Sequence, residues 1–392
     1  MIDLHEVLKI TDSINYKLPA EKVYINELFQ RILREEIISD VNMPPFDKSA
    51  VDGFACRKAD LDKPLKLIGT IYAGENKSYL IEPGMCVKIT TGAAVPAGAD
   101  CVIMVEDTVI TKNEEIQFTK NASKSNICKL GEDVQQGERL LLPGTLLLPH
   151  HLSILASAGY VYVHVSAIPR VGLISTGNEL VEPGLYPGKS QIRNSNAYHI
   201  LAQLKSMGIP AFYGGIVPDD MEIISLRLSE LSEQSDVVII TGGASMGEHD
   251  HVPTVLHQMG YEVLFNKIAI QPGKPVSFAM RSNKFCFGLS GNPVSSYLQF
   301  ELLVKSFLYH LMGHHYHFPI VLSEINKSLH RKQSGRLKFF PVAFDKNGRA
   351  EELQFNGSAH IAGLRDADGF GLFPQNCETL DAGDKIEVLL IR

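Results

Sequence analysis

The sequence has no Cys-x-x-Cys pair and no long apolar run, and each absence excludes a class of protein. Its six cysteines lie far apart, at Cys56, Cys86, Cys101, Cys128, Cys286 and Cys377. This spacing fits neither a zinc site nor a disulfide framework and favours reduced thiols. No apolar run is long enough to cross a bilayer, and the first residues do not resemble a secretory signal. We therefore expect a cytoplasmic protein without a membrane-spanning segment.

The chain also has no excess of positive charge, and this limits the kind of ligand that it is expected to bind. The formal net charge is -7, and this argues against a non-specific nucleic-acid binder. A local basic pocket is still compatible with this composition, so we expect a small ligand. With 392 residues, of which 45% are hydrophobic, the chain is too long for one core, and we expect three or four domains.

An apolar run from Val237 to Ile240 opens the stretch with the strongest chemical signal. Such a run predicts a strand that is buried on both faces, as in parallel sheets. The run is followed by Gly242-Gly243, and a helix is predicted to begin near Pro253. A glycine turn between a strand and a helix can bind an anion. Glu248 and Asp250 follow the glycines, and they predict a divalent cation or acid–base chemistry beside that anion.

This turn matches neither of the familiar glycine fingerprints. The glycines are not followed by Lys and then Ser or Thr, as a P-loop requires, and their spacing differs from that of a dinucleotide-binding turn. A structural interpretation also stays open, because glycine turns are common between strands and helices, and the two acids could simply cap the helix.

Residues 169–317 predict a doubly wound α/β domain, because strands and helices alternate along them. The predicted strands are Val171 to Ser175, Ala211 to Tyr213, Val237 to Ile240 and Phe285 to Leu289, and the predicted helices are Asn196 to Met207, Met221 to Gln234 and Val294 to His310. Three of the strands run into polar glycine turns: Ser175-Thr-Gly-Asn-Glu179, Thr241-Gly-Gly-Ala-Ser-Met-Gly247 and Ser290-Gly-Asn-Pro293. Ligands in open α/β sheets bind outside the carboxyl ends of the strands, so the three turns predict one shared site.

A proline-bounded turn, Gln271-Pro-Gly-Lys-Pro275, precedes the third glycine turn. The prolines restrict the backbone, which favours a lysine positioned for an anion. Lys267 and Lys274 are therefore candidates to offset the charge of Glu179 and Asp250. The alternative is that both lysines are ordinary solvated surface charges.

The remaining segments predict a multidomain protein of the α/β and β classes. A scaffold and dimerisation domain is expected over residues 1–45 and 132–168, with two helices between residues 3 and 41. Short β-type runs predict an inserted β domain over 46–131, and the all-β pattern of 318–392 predicts a C-terminal domain that resembles a β-barrel. The nearby histidines His314, His315 and His317 are expected to lie in a linker and not in a metal site.

Taken together, the motifs resemble one family, the molybdopterin molybdenumtransferases, called MoeA in bacteria and represented in animals by the E domain of gephyrin. The resemblance covers nearly the full length. It rests on Pro-Pro-Phe-Asp-Lys-Ser-Ala-Val-Asp-Gly-Phe-Ala, Thr-Gly-Ala-Ala-Val-Pro, Gly-Glu-Asp, Ser-Thr-Gly-Asn-Glu-Leu, Thr-Gly-Gly-Ala-Ser-Met-Gly-Glu-His-Asp, Pro-Gly-Lys-Pro and Ser-Gly-Asn-Pro-Val-Ser.

The resemblance implies an elongated homodimer of four-domain subunits, with an active site that both subunits share. It implies that the α/β domain binds adenylylated molybdopterin, that molybdate is the second substrate, and that molybdenum enters the dithiolene while AMP leaves. Mg²⁺ is implied as the cofactor. Contacts with other cofactor-biosynthesis proteins are a further implication.

Position by position, the resemblance assigns roles to individual residues. The catalytic residues would be Asp52, Thr91, Asp133, Glu179, Asp219, Asp250, Lys267 and Lys274. The pterin nucleotide would contact Thr176, Gly177, Gly242, Gly243, Ser245, Gly247, Gly291, Asn292 and Pro293. Molybdate would contact Gln271, Lys274 and Ser358, and Mg²⁺ would bind Glu179 and Asp250. Composition alone favours a simpler interpretation of Asp52 and Thr91, namely that each closes a turn.

Two positions depart from the family pattern. Relatives usually carry Lys-Pro-Gly-Lys-Pro where this chain has Gln271-Pro-Gly-Lys-Pro, and a C-terminal arginine falls on Pro341. Both changes predict a loss of positive charge and weak affinity for an oxyanion. Strand alternation places Arg336 and Lys338 on the face opposite Pro341, unless a β-bulge intervenes. A non-catalytic scaffold that binds the pterin nucleotide therefore stays open as a second function. A molybdopterin adenylyltransferase is a third, because the α/β domain also resembles that of the preceding enzyme.

Overall fold

A computed structural model describes residues 1–243, 251–332, 335–355 and 357–391. Two compact units are distinguished by the density of their contacts. The first comprises Met1–Arg34, Pro143–Leu148 and the chain from His164 onward, and the second comprises Glu35–Leu142 and Pro149–Val163. The finer division into four domains stays a prediction.

The largest sheet of the first unit has a parallel part and an antiparallel part. Within the described residues its strand order is Ala211–Val217, Val171–Thr176, Val237–Thr241, Lys284–Leu289, Pro275–Arg281 and Glu262–Lys267. The first four strands are parallel, and the last two pair antiparallel. The predicted parallel strands are thus confirmed. The final two strands were not predicted, since a lysine, two prolines and a glycine lie between them and suggested only a turn.

Helices cover both faces of this sheet, because successive side chains of a strand point to opposite sides. Leu173 and Ile239 pack into one apolar cluster with the helices Asn196–Ser206, Pro293–Gln299 and Lys305–Met312. Ile174 and Ile240 pack into a second cluster with the helices Met221–Gln234 and His251–Gln258. A sheet that is buried on both faces in this way is doubly wound, as the sequence predicted.

The helix predicted from Val294 to His310 is present but not uniform. A π-helical turn, Phe300–Val304, separates its two α-helical parts. Its buried side chains include Phe300 and Leu303, which belong to the same apolar cluster as the sheet. Gly313 ends the helix in the left-handed conformation, with φ of 85°.

The C-terminal strands form a nearly closed ring. Their order within the described residues is Ile270–Gln271, Leu337–Phe344, Gly369–Phe373, Lys385–Leu390 and Ile320–Glu324, and Ala350–Glu352 pairs with Leu337–Phe344. A parallel bridge between Ile325 and Ala350 brings the last strand of this order beside Ala350–Glu352. Phe340, Phe373 and Val388 lie in the core that the ring encloses. The barrel-like character predicted for this region is confirmed.

The N-terminal prediction is partly wrong, because one helix is present there and not two. Asp3 caps the helix Leu4–Asp12 by accepting a hydrogen bond from the Glu6 amide at 2.8 Å. Beyond Pro19 the chain forms the strand Ala20–Tyr24 and a short 3-10 turn. Leu28, Ile32 and Leu33 lie beyond this turn and are fully buried, although no α-helix carries them.

The second unit contains a sheet with the strand order Lys66–Ile71, Met85–Ile89, Gly53–Cys56 and Cys101–Met104. Phe54 and Ile103 face one apolar cluster, while Ala55 and Val102 face another. This sheet agrees with the β-type runs predicted for the region. The helix Pro149–Ser157 belongs to the same unit and ends before Gly159, which has a φ of 78°.

Shorter strands complete the two units. They are Ile37–Ile38, Lys48–Ser49, Thr108–Ile110, Ile116–Phe118, Ile127–Cys128, Arg139–Leu141, Tyr162–Ser166, Leu180–Val181, Ile192–Arg193, Leu329–His330 and Thr379–Leu380. All six cysteines are free thiols. No helix in the described part of the chain combines the length and apolar character needed to span a bilayer.

Burial of His199, which packs against the ring of Tyr297, makes the stability of this unit depend on pH. Desolvation lowers the pKa of His199 to about 4, although a 2.9 Å contact between Nδ1 and Gln203 Oε1 opposes the shift. In the unfolded chain the pKa is about 6.5. The stabilisation is therefore complete above pH 6.5 and is lost as the pH falls towards 4.

We expect the free energy of unfolding to fall by about 2 kcal/mol between pH 7.5 and pH 5 because of this one residue. Urea denaturation at the two pH values measures it. The His199→Asn variant keeps a polar group near Gln203 but does not titrate. Its free energy of unfolding should therefore fall by about 2 kcal/mol less between the two pH values. Equal losses in the two proteins would contradict the assignment.

Candidate active site

Three glycine turns meet at the carboxyl edge of the parallel strands. Val171–Thr176, Val237–Thr241 and Lys284–Leu289 are adjacent in the sheet, so the described residues that follow these strands lie side by side. Together they line a cavity of about 700 Å³, with contributions from Thr176, Gly177, Gly242, Gly243, Gly291, Asn292 and Pro293. These are the described members of the set predicted to bind the pterin nucleotide. Ser245, Gly247 and Asp250 lie outside the described residues.

Two of these glycines are required by the close approach of neighbouring turns. A Cβ atom at Gly242 would lie 2.1 Å from the Thr176 carbonyl oxygen, and one at Gly243 would lie 2.9 Å from Thr176 Oγ1. Both residues also have positive φ, at 95° and 62°, a region that side chains disfavour. The first and second turns are therefore in backbone contact at the floor of the cavity.

Two buried polar side chains in this cavity have unused hydrogen-bonding capacity. Asn196 Nδ2 donates to Thr241 Oγ1 and to the Gly291 carbonyl, each at 2.8 Å. Asn196 Oδ1 and Thr176 Oγ1 have no hydrogen-bond partner among the described residues. An unpaired buried polar group costs about 1–3 kcal/mol, and a ligand with matching groups would remove that cost.

Asn196 was not among the predicted site residues. The only sequence signal for it is Asn194-Ser-Asn196 just before a predicted helix, a pattern that usually indicates a helix cap. Asn194 is also engaged, because its Nδ2 donates to Ser175 Oγ at 3.0 Å and to the Tyr213 hydroxyl at 2.8 Å. These bonds connect the first glycine turn to the segment that precedes the helix.

Two carboxylates, Glu179 and Asp219, line the same cavity. Glu179 is exposed and Asp219 is half-buried. Asp219 Oδ2 accepts from the Asn178 amide at 3.3 Å, and Asn178 Oδ1 accepts from the Asp219 amide at 3.2 Å. This reciprocal pair joins the turn after the first strand to Asp219.

These acids fit Mg²⁺ that is shared with a phosphate ligand. Mg²⁺ is usually held by one or two carboxylates, with phosphate oxygens and water in its other positions. Among the residues that the structure describes, no group of three His, Cys, Asp or Glu side chains could hold a metal without such help. The predicted ligand pair Glu179 and Asp250 stays a prediction, since Asp250 is not described.

A second cavity of about 840 Å³ adjoins the first, and Pro275, Ser290 and Asn292 line both. The residues predicted to contact molybdate, Gln271, Lys274 and Ser358, all line this second cavity. Basic side chains from the C-terminal strands complete its wall: His330, Arg331, Lys332, Arg336 and Lys338.

These basic side chains were not among the residues predicted to contact molybdate, and the predicted weak affinity for an oxyanion stays a prediction. Arg336 and Lys338 line the second cavity and Pro341 does not, so the position that lacks the family's arginine is not on its wall. Pro341 lies on the strand Leu337–Phe344, opposite Phe370 on the next strand. The sequence reasoning placed the basic side chains and Pro341 on opposite faces, but it took the face of Pro341 to be the functional one.

Lys267 is the one predicted α/β residue, among those described, that lines neither cavity. It is exposed at the end of the strand Glu262–Lys267, opposite Pro275. Its neighbour in the prediction, Lys274, is half-buried and reaches the second cavity. The proline-bounded turn thus positions one of the two lysines, as predicted, and leaves the other outside the cavity walls.

Gln299 is a buried residue that the sequence did not single out. Its Oε1 accepts from the Ser290 amide at 2.8 Å, while its Nε2 donates to the carbonyls of Gly273 and Pro275 at 2.8 and 2.7 Å. The side chain has no exposed surface. One amide group therefore holds together the lysine turn and the third glycine turn, which border both cavities.

Asp52, Thr91 and Asp133 lie in the second unit. Asp52 Oδ1 accepts from the Thr91 amide at 2.7 Å and from its hydroxyl at 3.0 Å. These two bonds lower the pKa of Asp52, so the carboxylate is ionised at neutral pH. Asp133 is exposed, and its amide donates to the Met43 carbonyl at 3.0 Å. Asp52 and Thr91 thus bond to each other, which agrees with the interpretation that they close a turn. Their catalytic roles stay predictions.

Comparisons with known proteins extend over the whole of this architecture. Residues 2–159 match the MoeA N-terminal region (domain I and II), residues 172–310 match a probable molybdopterin binding domain, and residues 327–391 match the MoeA C-terminal region (domain IV). A molybdopterin biosynthesis MoeA protein from Pyrococcus horikoshii has a solved structure similar to this one, with a TM-score of 0.84 and 29% identity over 100% of both chains.

Two relatives are both named molybdopterin molybdenumtransferase. The molybdopterin molybdenumtransferase of Bacillus subtilis is 35% identical over 400 residues, which cover 95% of this chain and 90% of that protein. That of Haemophilus influenzae is 33% identical over 388 residues, covering 97% and 96%. Because the similarity includes the N-terminal region, the glycine turns and the C-terminal strands, this chain belongs to the molybdopterin molybdenumtransferase family.

Proposed function

We propose that this chain inserts molybdenum from molybdate into adenylylated molybdopterin and releases AMP. The observation that carries the proposal is the pair of adjoining cavities. One is bordered by three glycine turns suited to a nucleotide, and the other by basic side chains suited to an oxyanion, with Pro275, Ser290 and Asn292 common to both. A reaction between an adenylylated pterin and an oxyanion needs such neighbouring sites.

The chain's own groups would bind and orient the two substrates. Backbone amides of the glycine turns would contact the phosphates, and Thr176 and Asn196 would add a hydroxyl and an amide oxygen that have no other described partner. Glu179 and Asp250 would hold Mg²⁺, with Asp219 nearby, and the ion would supply Lewis-acid assistance. Lys274 would offset negative charge as AMP leaves.

We also propose a homodimer in which Asp52 of the partner subunit completes the site. The family resemblance suggests this arrangement, and the ionised state of Asp52 suits a role beside a cation. A cytoplasmic location and contacts with other cofactor-biosynthesis proteins follow from the same resemblance.

Incubation of the purified protein with adenylylated molybdopterin, Mg²⁺ and molybdate tests the proposal. We expect AMP and a molybdenum-loaded pterin, and little AMP when molybdate is left out. Binding without turnover would support a scaffold, and consumption of ATP with free molybdopterin would support an adenylyltransferase. The names of the relatives favour neither alternative.

A further inference from the structure

Gln271 lies beside a lysine of the neighbouring strand. Ile270–Gln271 pairs in parallel with the start of Leu337–Phe344, and in this register Gln271 lies opposite Lys338. Both residues line the 840 Å³ cavity, as does Lys274. We propose that Lys338 supplies positive charge beside Gln271, so that a tetrahedral oxyanion binds between Lys338 and Lys274.

The surroundings of Lys338 suit an anion ligand because, among the described residues, the charged groups that shift its pKa are the cations Arg331 and Arg336. Its side chain is 9% exposed, and among the described residues no carboxylate forms an ion pair with it. The ammonium group donates to the Lys332 carbonyl and lies 5.9 Å from the centre of the Phe373 ring. Burial, and then repulsion from Arg331 and Arg336, lower the pKa of Lys338. A bound dianion would relieve both effects.

The neighbouring Arg331 differs from Lys338 because it already has an acidic partner. Its guanidinium pairs with Glu352 and lies over the ring of Phe340, 5.3 Å from the ring centre. Part of its charge is therefore compensated within the protein. Lys338 is the better donor for an added anion, and Arg331 raises the potential of the cavity around it.

The identification of the anion as molybdate rests on the proposed function, but the binding of an oxyanion does not require turnover. We would measure molybdate binding to the full-length chain by equilibrium dialysis, without any pterin nucleotide. Loss of a charge-assisted contact should weaken binding by about tenfold or more in the Lys338→Gln variant. Lys346→Gln removes the same charge from an exposed turn in the same part of the chain, and it should bind molybdate as the unmodified chain does.

A second variant tests whether a lysine at position 271 can replace the lysine at position 338. Adding Gln271→Lys to Lys338→Gln returns a lysine to the opposite position in the register, and most of the lost affinity should return. Thermal melting of each variant identifies any loss of fold. If the double variant is folded and binds as weakly as Lys338→Gln, the two positions do not serve the same anion and the proposal is wrong.

Other outcomes separate this inference from the proposed function. If the unmodified chain binds no molybdate at millimolar concentration, or if Lys338→Gln binds as tightly as Lys346→Gln, the inference fails even when AMP release is observed. If molybdate binding depends on Lys338 but AMP is not released, the oxyanion site stands and the transferase proposal fails.

Discussion

Two nearly inactive variants, Asp52→Ala and Glu179→Ala, are expected to regain activity when one chain of each forms a dimer. If Asp52 acts in the site of its partner, one site of the mixed dimer carries both lesions and the other carries none. An isolated mixed dimer should then show about half of the unmodified activity, because one of its two equivalent sites is intact. Different affinity tags on the two chains allow the mixed dimer to be purified before AMP release is measured.

A matched control uses two residues of one cavity. Glu179 and Asp219 both line the cavity of the glycine turns, so a mixed dimer of Glu179→Ala and Asp219→Ala has one lesion in each site and should stay inactive. If the Asp52 and Glu179 pair also stays inactive while every parent is folded and dimeric, each site is built within one chain. Recovery in the control pair would instead show that Glu179 and Asp219 of one chain do not serve the same site.

Replacement of Gly242 by alanine should be among the most destabilising substitutions in the α/β domain. The added Cβ would meet the Thr176 carbonyl oxygen at 2.1 Å, and neither backbone can move without disturbing two adjacent strands. Positive φ costs an alanine about 1–2 kcal/mol, and overpacking adds about 1–3 kcal/mol. We expect the free energy of unfolding to fall by about 3 kcal/mol or more in urea denaturation, with loss of AMP release.

Gly215 provides the control for this experiment. It has a φ of 86°, close to that of Gly242, but a Cβ there would meet no atom within 4 Å. The free energy of unfolding of the Gly215→Ala variant should therefore fall only by the cost of the positive φ, without the cost of overpacking. Equal losses in the two variants would mean that the contact between the first and second turns does not constrain position 242.

Sequence patterns predicted a strand of the sheets where its local composition already indicates a buried strand. Val237–Thr241 is apolar up to Ile240 and is buried along its whole length, so its composition alone indicates a central strand. The strand Gly369–Phe373 was missed, because its alternating glycines suggest a loop. Gly371 is needed there, since a Cβ would lie 2.7 Å from the ring of Phe340 on the paired strand. That contact depends on strand pairing, which local composition does not encode.

The candidate site could likewise be predicted from the sequence only in part. Convergence of the glycine turns was predictable, because carboxyl ends of parallel strands meet at one edge of a sheet. The basic wall of the second cavity was not, because segments that are distant in sequence form it together, the turn that begins at Gln271 and the residues from His330 to Lys338. The roles of Asn196 and Gln299 also depend on hydrogen bonds to segments far along the chain.

The amide of Gln299 has a consequence for how the two substrates influence each other. It bonds at once to Ser290 in the third glycine turn and to Gly273 and Pro275 in the lysine turn. If a ligand displaces either loop, it strains bonds that hold the other loop, so occupation of one cavity changes the free energy of binding in its neighbour. Thermodynamic linkage makes this influence mutual: the factor by which the pterin nucleotide changes the affinity for the oxyanion equals the factor by which the oxyanion changes the affinity for the nucleotide.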